Sequence, residues 1–161
     1  SKRFEDAGFD PLPAWRGPSM EPTSEYPFYF VSFNDGTKYM SMHAWNPWLE
    51  ELMDSTLWIN TETARKLGIN DGDEVYVESK WGRLKIKAKL TEGIRLDTVA
   101  MAHGRGYQNP MTAPCAHVGA NDSIIARPAT RAEHIEWYRN KEEPFGIARF
   151  LDYTVKVSKA G

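Results

Sequence analysis

The stretch RLKIKAKL, residues 83–90, alternates Leu84, Ile86, Ala88 and Leu90 with Arg83, Lys85, Lys87 and Lys89 without a break. Successive side chains of a β-strand point to opposite faces, so this order makes one apolar and one basic face; a helix would scatter both kinds around its circumference. The preceding residues extend the constraint. Val75 and Val77 face one way while Glu74, Tyr76 and Glu78 face the other, and SKWG at 79–82 reverses the chain, so a β-hairpin is expected. The lysine stripe is either a solvated sheet face that discourages edge pairing or a grip for a phosphate.

Just upstream, LWINTETARKLGINDGD carries a complete set of helix signals. Asn60 is a good N-cap, Glu62 lies in the first turn, Arg65 and Lys66 lie in the last, and Gly68 supplies the left-handed position that ends the helix. Ile69 can fold back over that end. NDGD at 70–73 is expected as a plain turn, since its carboxylates lack the spacing of a calcium loop. FYFVSF (28–33), TVAMA (98–102), SIIA (123–126) and YTVKVS (153–158) are further expected strands, and Asn46–Pro47 starts a short helical turn through Leu49 and Leu52. TRAEHIEWYRNKEE (130–143) is expected as a helix or a structured excursion. Short strands outnumber helices, which favours a closed or nearly closed barrel with small helices, mainly β.

Residues 1–25 read as an extended linker, with prolines at 11, 13, 18 and 22, and residues 26–161 as the barrel domain. A linker belongs between domains, so the chain is expected to be a piece of a longer protein; removal of an initiator methionine before Ser1 is the alternative. Net charge settles one class of partner. At −2 over 161 residues the chain lacks the cationic excess that duplex nucleic acid demands, and no apolar run is long enough to span a bilayer as a helix.

Each standard catalytic constellation is missing. His43, His103, His117 and His134 have no paired cysteines, and neither a G-x-S-x-G elbow nor a Walker loop occurs. Cys115 is a small buried residue or a nucleophile served by His117 or His103. What does draw notice is MAHGRGYQNP, residues 101–110, which sets two glycines beside a histidine, an arginine and a tyrosine. Gly104 and Gly106 permit a steep turn or a close approach, His103 and Arg105 offer donors, and Tyr107 offers a flat ring. The alternative is a tight interstrand loop that holds nothing.

NPWLEELM, then LWINTETARKLGINDGDEVYVESKWGRLKIKAKLTEGIRLDTVAMAHGRGY, then GANDSI together resemble the C-terminal dinucleotide-binding domain of molybdopterin oxidoreductases of the dimethyl-sulfoxide-reductase family. The resemblance covers roughly residues 26–127, and YTVKVSK also fits the family's last strand; SMHAWNPWL is most similar to the thiosulfate, polysulfide and arsenate reductase type. It implies a six-stranded double-psi β-barrel that closes over molybdopterin guanine dinucleotide, with molybdenum or tungsten and any iron–sulfur ligands supplied by earlier domains. It also implies partners: the remaining domains of a catalytic subunit, then iron–sulfur and membrane-anchor subunits, in a periplasmic or membrane-associated complex or in the cytoplasm. By family position His43, Asn46 and Asn121 join the 103–107 loop as cofactor contacts. Lys38 and Arg149 stand where other cations are usual: FNDG replaces the family's Gly-Arg after the first strand, and ARFLDY lacks its lysine. Trp45 and Trp48 belong either to the core or to an interface with the rest of the enzyme. Two other readings are a stand-alone barrel that binds a small ligand or a protein without redox chemistry, and a self-processing decarboxylase-like barrel. The latter needs a Gly-Ser pair that the sequence lacks.

Overall fold

A computed structural model describes residues 2–6, 8, 12, 20–36, 46–52, 55–112, 114–126 and 153–161. Among these residues the chain forms strands β1 (Phe28–Phe33), β2 (Leu57–Ile59), β3 (Glu74–Glu78), β4 (Arg83–Leu90), β5 (Thr98–Ala102) and β6 (Thr154–Lys159). Three short helices accompany them, α1 (Lys2–Asp6), α2 (Pro47–Glu50) and α3 (Thr61–Leu67), with 3-10 turns at Pro114–His117 and Asp122–Ile124.

The alternating sequence forms the hairpin it demands. β3 and β4 pair antiparallel with Val75 opposite Ile86 and Val77 opposite Leu84, and all four side chains are buried. On the outer face Lys85 pairs with Glu74 at 2.6 Å, and the Arg83 guanidinium lies 3.4 Å from the centre of the Tyr76 ring. Helix α3 has the ends its sequence specifies. Asn60 Oδ1 accepts from the Glu62 N–H, Gly68 adopts φ 67°, and the Ile69 N–H reaches back to the Ala64 carbonyl at 2.9 Å while its side chain is buried. In the turn that follows, Asp73 accepts from the Asn70 N–H and Asp71 from the Leu90 N–H. Those carboxylates are occupied by backbone.

The strands close into a ring in the order β1-β5-β2-β4-β3-β6. Two neighbouring pairs, β1/β5 and β2/β4, are parallel, and the rest are antiparallel. Consecutive strands β1 and β2 are held apart by β5, which bonds to both; likewise β4 and β5 are held apart by β2. Each arrangement is a ψ, and exchanging β1–β3 with β4–β6 reproduces the same ring of neighbours. The fold is therefore a six-stranded double-psi β-barrel. Phe30, Leu57, Ile59, Val75, Val77, Val99 and Val155 fill its interior at zero exposure, each worth about 1.5–3 kcal/mol of hydrophobic burial.

One expected strand is not a strand. SIIA lies in and just after the 3-10 turn Asp122–Ile124, because Asn121 Oδ1 accepts from the Ser123 N–H and starts a turn there. The sixth strand is β2, whose three residues are too few to display an alternation. The segment expected to be extended includes the helical turn α1. At its far end Met20 packs against the core and the Tyr29 hydroxyl donates to Glu21. Trp48 is 78% exposed and so is no part of the core. The excursion expected at 130–143 and Trp45 lie outside the described residues. Among the described residues no helix is long and apolar enough to cross a membrane.

Candidate functional site

Parallel pairing of β1 and β5, with Ser32 beside Met101 and Phe33 beside Ala102, makes the chain leave both strands at the same end of the barrel. The His103 N–H extends that ladder to the Phe33 carbonyl at 2.9 Å. β2 runs antiparallel to β5 with Leu57 opposite Met101, so Ser55 and Thr56 begin at this same rim. Three segments distant in sequence, 32–36, 103–107 and 118–125, meet there.

Two charged contacts lock them together. Arg105 Nη2 donates to Asp35 Oδ2 at 2.7 Å, with side chains only 3% and 2% exposed. His103 Nδ1 lies 2.8 Å from Asp122 Oδ2 and 3.0 Å from Oδ1, while the Ser32 hydroxyl donates to Asp122 Oδ2 at 2.6 Å. Asp122 is buried, whereas the His103 side chain is 35% exposed and its Nε2 has no hydrogen-bond partner among the described residues. Beneath the rim, Tyr153 stacks on Phe30 with ring centres 5.2 Å apart. Burial pushes its phenol well above the usual tyrosine range, and the Asp122 charge adds to the shift.

The glycines serve the packing of these segments. Gly106 has φ 66°, and a Cβ there would lie 2.5 Å from Ala120 Cα. Its close approach is to the chain's own backbone. Gly104 shares the left-handed conformation, at φ 74°. A Cβ on Gly119 would meet Ser55 Cβ at 2.3 Å, and one on Gly82 would meet the Ile124 carbonyl oxygen at 2.1 Å. From the other side the Ser79 hydroxyl donates to the Ile125 carbonyl at 2.7 Å. Segment 118–125 is thus held between the 103–107 loop and the β3–β4 hairpin.

The rim brings together His103, Gly104, Arg105, Gly106 and Asn121, with Tyr107 half-buried in the same loop. Arg105 turns its guanidinium inward and donates one N–H, from Nη2, to Asp35. Asn46 and Asn121 each spend Oδ1 on a local cap, of Trp48 N–H and Ser123 N–H respectively, and retain Nδ2 as a donor. Lys38, His43 and Arg149 lie outside the described residues. Asp35, Asp122, Ser32 and Ser55 were not singled out in sequence, since NDG, GANDS and an isolated serine all read as ordinary turn residues.

Several donors at the rim lack partners. Arg105 Nε and Nη1, Ser55 Oγ and Thr56 Oγ1 are buried without a hydrogen-bond partner among the described residues. Leaving such groups unmet costs about 1–3 kcal/mol each. A cavity of about 430 Å³ borders the rim, lined by Ser55, Thr56, Val118 and Gly119 and by Lys87 and Lys89 of the basic stripe. No group of three potential metal ligands occurs among the described residues. His117 and His103 bond Thr112 and Asp122 rather than the Cys115 thiol. The rim has the means to bind a polar ligand and, among the described residues, no nucleophile paired with a base.

A family model described as "Molydopterin dinucleotide binding domain" matches residues 28–139, a span that contains every rim residue. The thiosulfate reductase molybdopterin-containing subunit of Salmonella typhimurium is 40% identical over 77 residues, covering 47% of this chain and 9% of the relative. The arsenate respiratory reductase molybdopterin-containing subunit of Chrysiogenes arsenatis is 48% identical over 54 residues, covering 34% of this chain and 6% of the relative. The fold is similar to acetylene hydratase from Pelobacter acetylenicus, with a TM-score of 0.74 and 23% identity over 98% of this chain and 22% of that one. The matched stretches therefore span less than a tenth of the length of the two curated relatives.

Proposed function

The chain belongs to the molybdopterin dinucleotide-binding domain family, and from that premise we propose that it clamps molybdopterin guanine dinucleotide within the catalytic subunit of a molybdenum or tungsten oxidoreductase. The residues present fit the group. A pyrophosphate and two fused heterocycles need hydrogen-bond donors at a sheltered surface, and the rim holds buried donors with no protein partner on Arg105, Ser55 and Thr56. When bound, the metal supplies the redox and atom-transfer chemistry, for oxygen or sulfur, coupled to electron transfer.

This chain's own part is to bind and orient. The outward Nε2 of His103 and the Nδ2 of Asn121 hydrogen-bond the ligand, and Tyr107 packs beside a ring. The Arg105–Asp35 pair keeps the loops after β1 and β5 in one relation, so the donors are placed before the ligand arrives. The chain contributes no independent catalytic centre. Its partners are the remaining domains of the same subunit, and beyond them iron–sulfur and membrane-anchor subunits. The thiosulfate and arsenate reductases among the relatives favour a reductase over other reactions.

The match across residues 28–139, which contains the whole rim, carries this reading. Its test is the content of the full-length protein purified from a cell that makes the cofactor. Molybdenum or tungsten measured by mass spectrometry is expected together with guanine nucleotide released by acid. Asn121→Ala is expected to lower both, while Lys66→Ala, on an exposed helix flank, leaves them unchanged. A folded full-length protein with neither metal nor nucleotide overturns the proposal.

A further inference from the structure

The most unusual buried group at the rim is the carboxylate of Asp122. It is 6% exposed, yet among the described residues it meets no lysine or arginine; Ser32 Oγ and His103 Nδ1 are its hydrogen-bond partners, at 2.6 Å and 2.8 Å. An ionised carboxylate only accepts hydrogen bonds. Both partners must then donate, and His103 must carry its proton on Nδ1.

We infer that Asp122 is a positioning residue that holds His103 as the Nδ1–H tautomer, so that the neutral ring faces the ligand with a hydrogen-bond acceptor, Nε2. Ser32, out of β1, donates to the same carboxylate oxygen, Oδ2, and Asn121 fixes the 3-10 turn on which Asp122 sits. Gly106 against Ala120 keeps that turn beside the 103–107 loop. The result is a ring held from three segments, whose Nε2 has no hydrogen-bond partner among the described residues. This deepens the cofactor reading and rests on it for the ligand alone.

The consequence concerns which part of a ligand His103 can recognise. A neutral Nε2 acceptor matches an N–H or amino group, such as the amide-like edge that guanine and a pterin share. It offers nothing to a phosphate oxygen, which also only accepts. His103 is therefore a reader of the heterocycle edge, and the anionic middle of a dinucleotide falls to the donors of Arg105, Ser55 and Thr56. The sequence had suggested His103 as a donor.

The test is ¹⁵N-detected tautomer assignment of the neutral His103 ring in the 161-residue chain. The expected spectrum has a pyrrole-type Nδ1 and a pyridine-type Nε2. Asp122→Asn keeps an acceptor toward Nδ1 and is expected to preserve the pattern; Asp122→Ala is expected to shift the ring toward Nε2–H. A merely structural contact would leave the tautomer unchanged in both variants. Three probes then separate the ligand chemistries: guanosine 5′-monophosphate, 6-hydroxymethylpterin and ribose 5-phosphate. Perturbation of the Nε2 resonance by the nucleotide or by the pterin supports the inference and tells which heterocycle is read. A response to ribose 5-phosphate alone, or to none of the three, overturns the recognition step. A wild-type Nε2–H tautomer overturns the inference at its root, even if Asp122→Ala cannot be folded. Because the tautomer is read without cofactor, its failure is distinct from failure of the full-length protein to carry metal and nucleotide.

Discussion

Replacing Gly106 with alanine tests whether the rim is built by backbone contact. The glycine has φ 66°, and a side chain in that conformation costs about 1–2 kcal/mol. The added Cβ would also lie 2.5 Å from Ala120 Cα, 2.6 Å from Ala120 C and 2.8 Å from Asn121 N. All three are backbone atoms that cannot rotate aside, so the overlap adds about 1–3 kcal/mol. Gly106→Ala is therefore expected to destabilise the chain by about 2–5 kcal/mol. Gly68 is a matched control. It shares the conformation, at φ 67°, but has nothing within 4 Å of its missing Cβ, so Gly68→Ala should cost only the strain. Urea unfolding of the 161-residue chain reads the difference, provided the two variants share one m-value. On heating, each kcal/mol corresponds to about 2–4 °C for a chain of this size. The overlap must also push Asn121–Asp122 away from the loop, so Gly106→Ala is expected to relax the His103 tautomer as well. Equal destabilisation by the two alanines would refute the packing argument.

Asp35→Asn leaves the Arg105 guanidinium buried without its counter-charge and is expected to cost about 3–5 kcal/mol in urea melts; adding Arg105→Met should recover much of that loss. No recovery would show that Asp35 acts through something other than Arg105. Ser79→Ala removes the hydroxyl that donates to the Ile125 carbonyl and accepts from the Trp81 and Gly82 N–H groups, with an expected cost of about 1–3 kcal/mol in the same assay. The last prediction concerns pH. Tyr153 is held neutral in the fold by burial, above the ordinary value of 10.0, so the unfolded chain deprotonates first. Its contribution to stability is whole below about pH 10 and declines as the pH rises further. Tyr153→Phe keeps the ring stacked on Phe30 and should flatten that alkaline decline, which denaturant melts at pH 9 and 11 can check.

Much of the barrel was legible because its elements carry their own signals. β4 announces itself by eight alternating residues, and α3 by a cap at Asn60 and a left-handed stop at Gly68. The family resemblance added the double-psi topology, which pairing in the ring bears out. What failed was local. β2 is three residues long, so its place in the barrel comes entirely from neighbours, Ala100 and Met101 on one side and Ala88 and Lys89 on the other. SIIA has the composition of a strand but follows Asn121, whose side chain competes for the Ser123 N–H and bends the chain instead.

At the rim the sequence showed which loop matters but not which way its side chains point. His103 continues the β5 ladder and stays at the surface; two residues on, Arg105 turns inward because Gly104 and Gly106 both adopt positive φ. Its target, Asp35, is 70 residues away, and only the parallel pairing of β1 with β5 brings the two together. Parallel strands cannot be joined by a tight turn. In this barrel that rule places a long intervening segment between the loops after β1 and β5, so no local pattern can reveal their contacts. Asp122 is the clearest case. In sequence it is the second residue of an Asn-Asp turn; in the barrel it joins β1, the loop after β5 and the turn into one hydrogen-bonded unit. A chain that binds with loops gathered this way can alter one loop without disturbing the others only while Asp35 and Asp122 keep their partners. Substitutions at these two acids should therefore affect ligand contacts made by residues they never touch, a coupling that double-mutant cycles between Asp35 and Asn121 would measure.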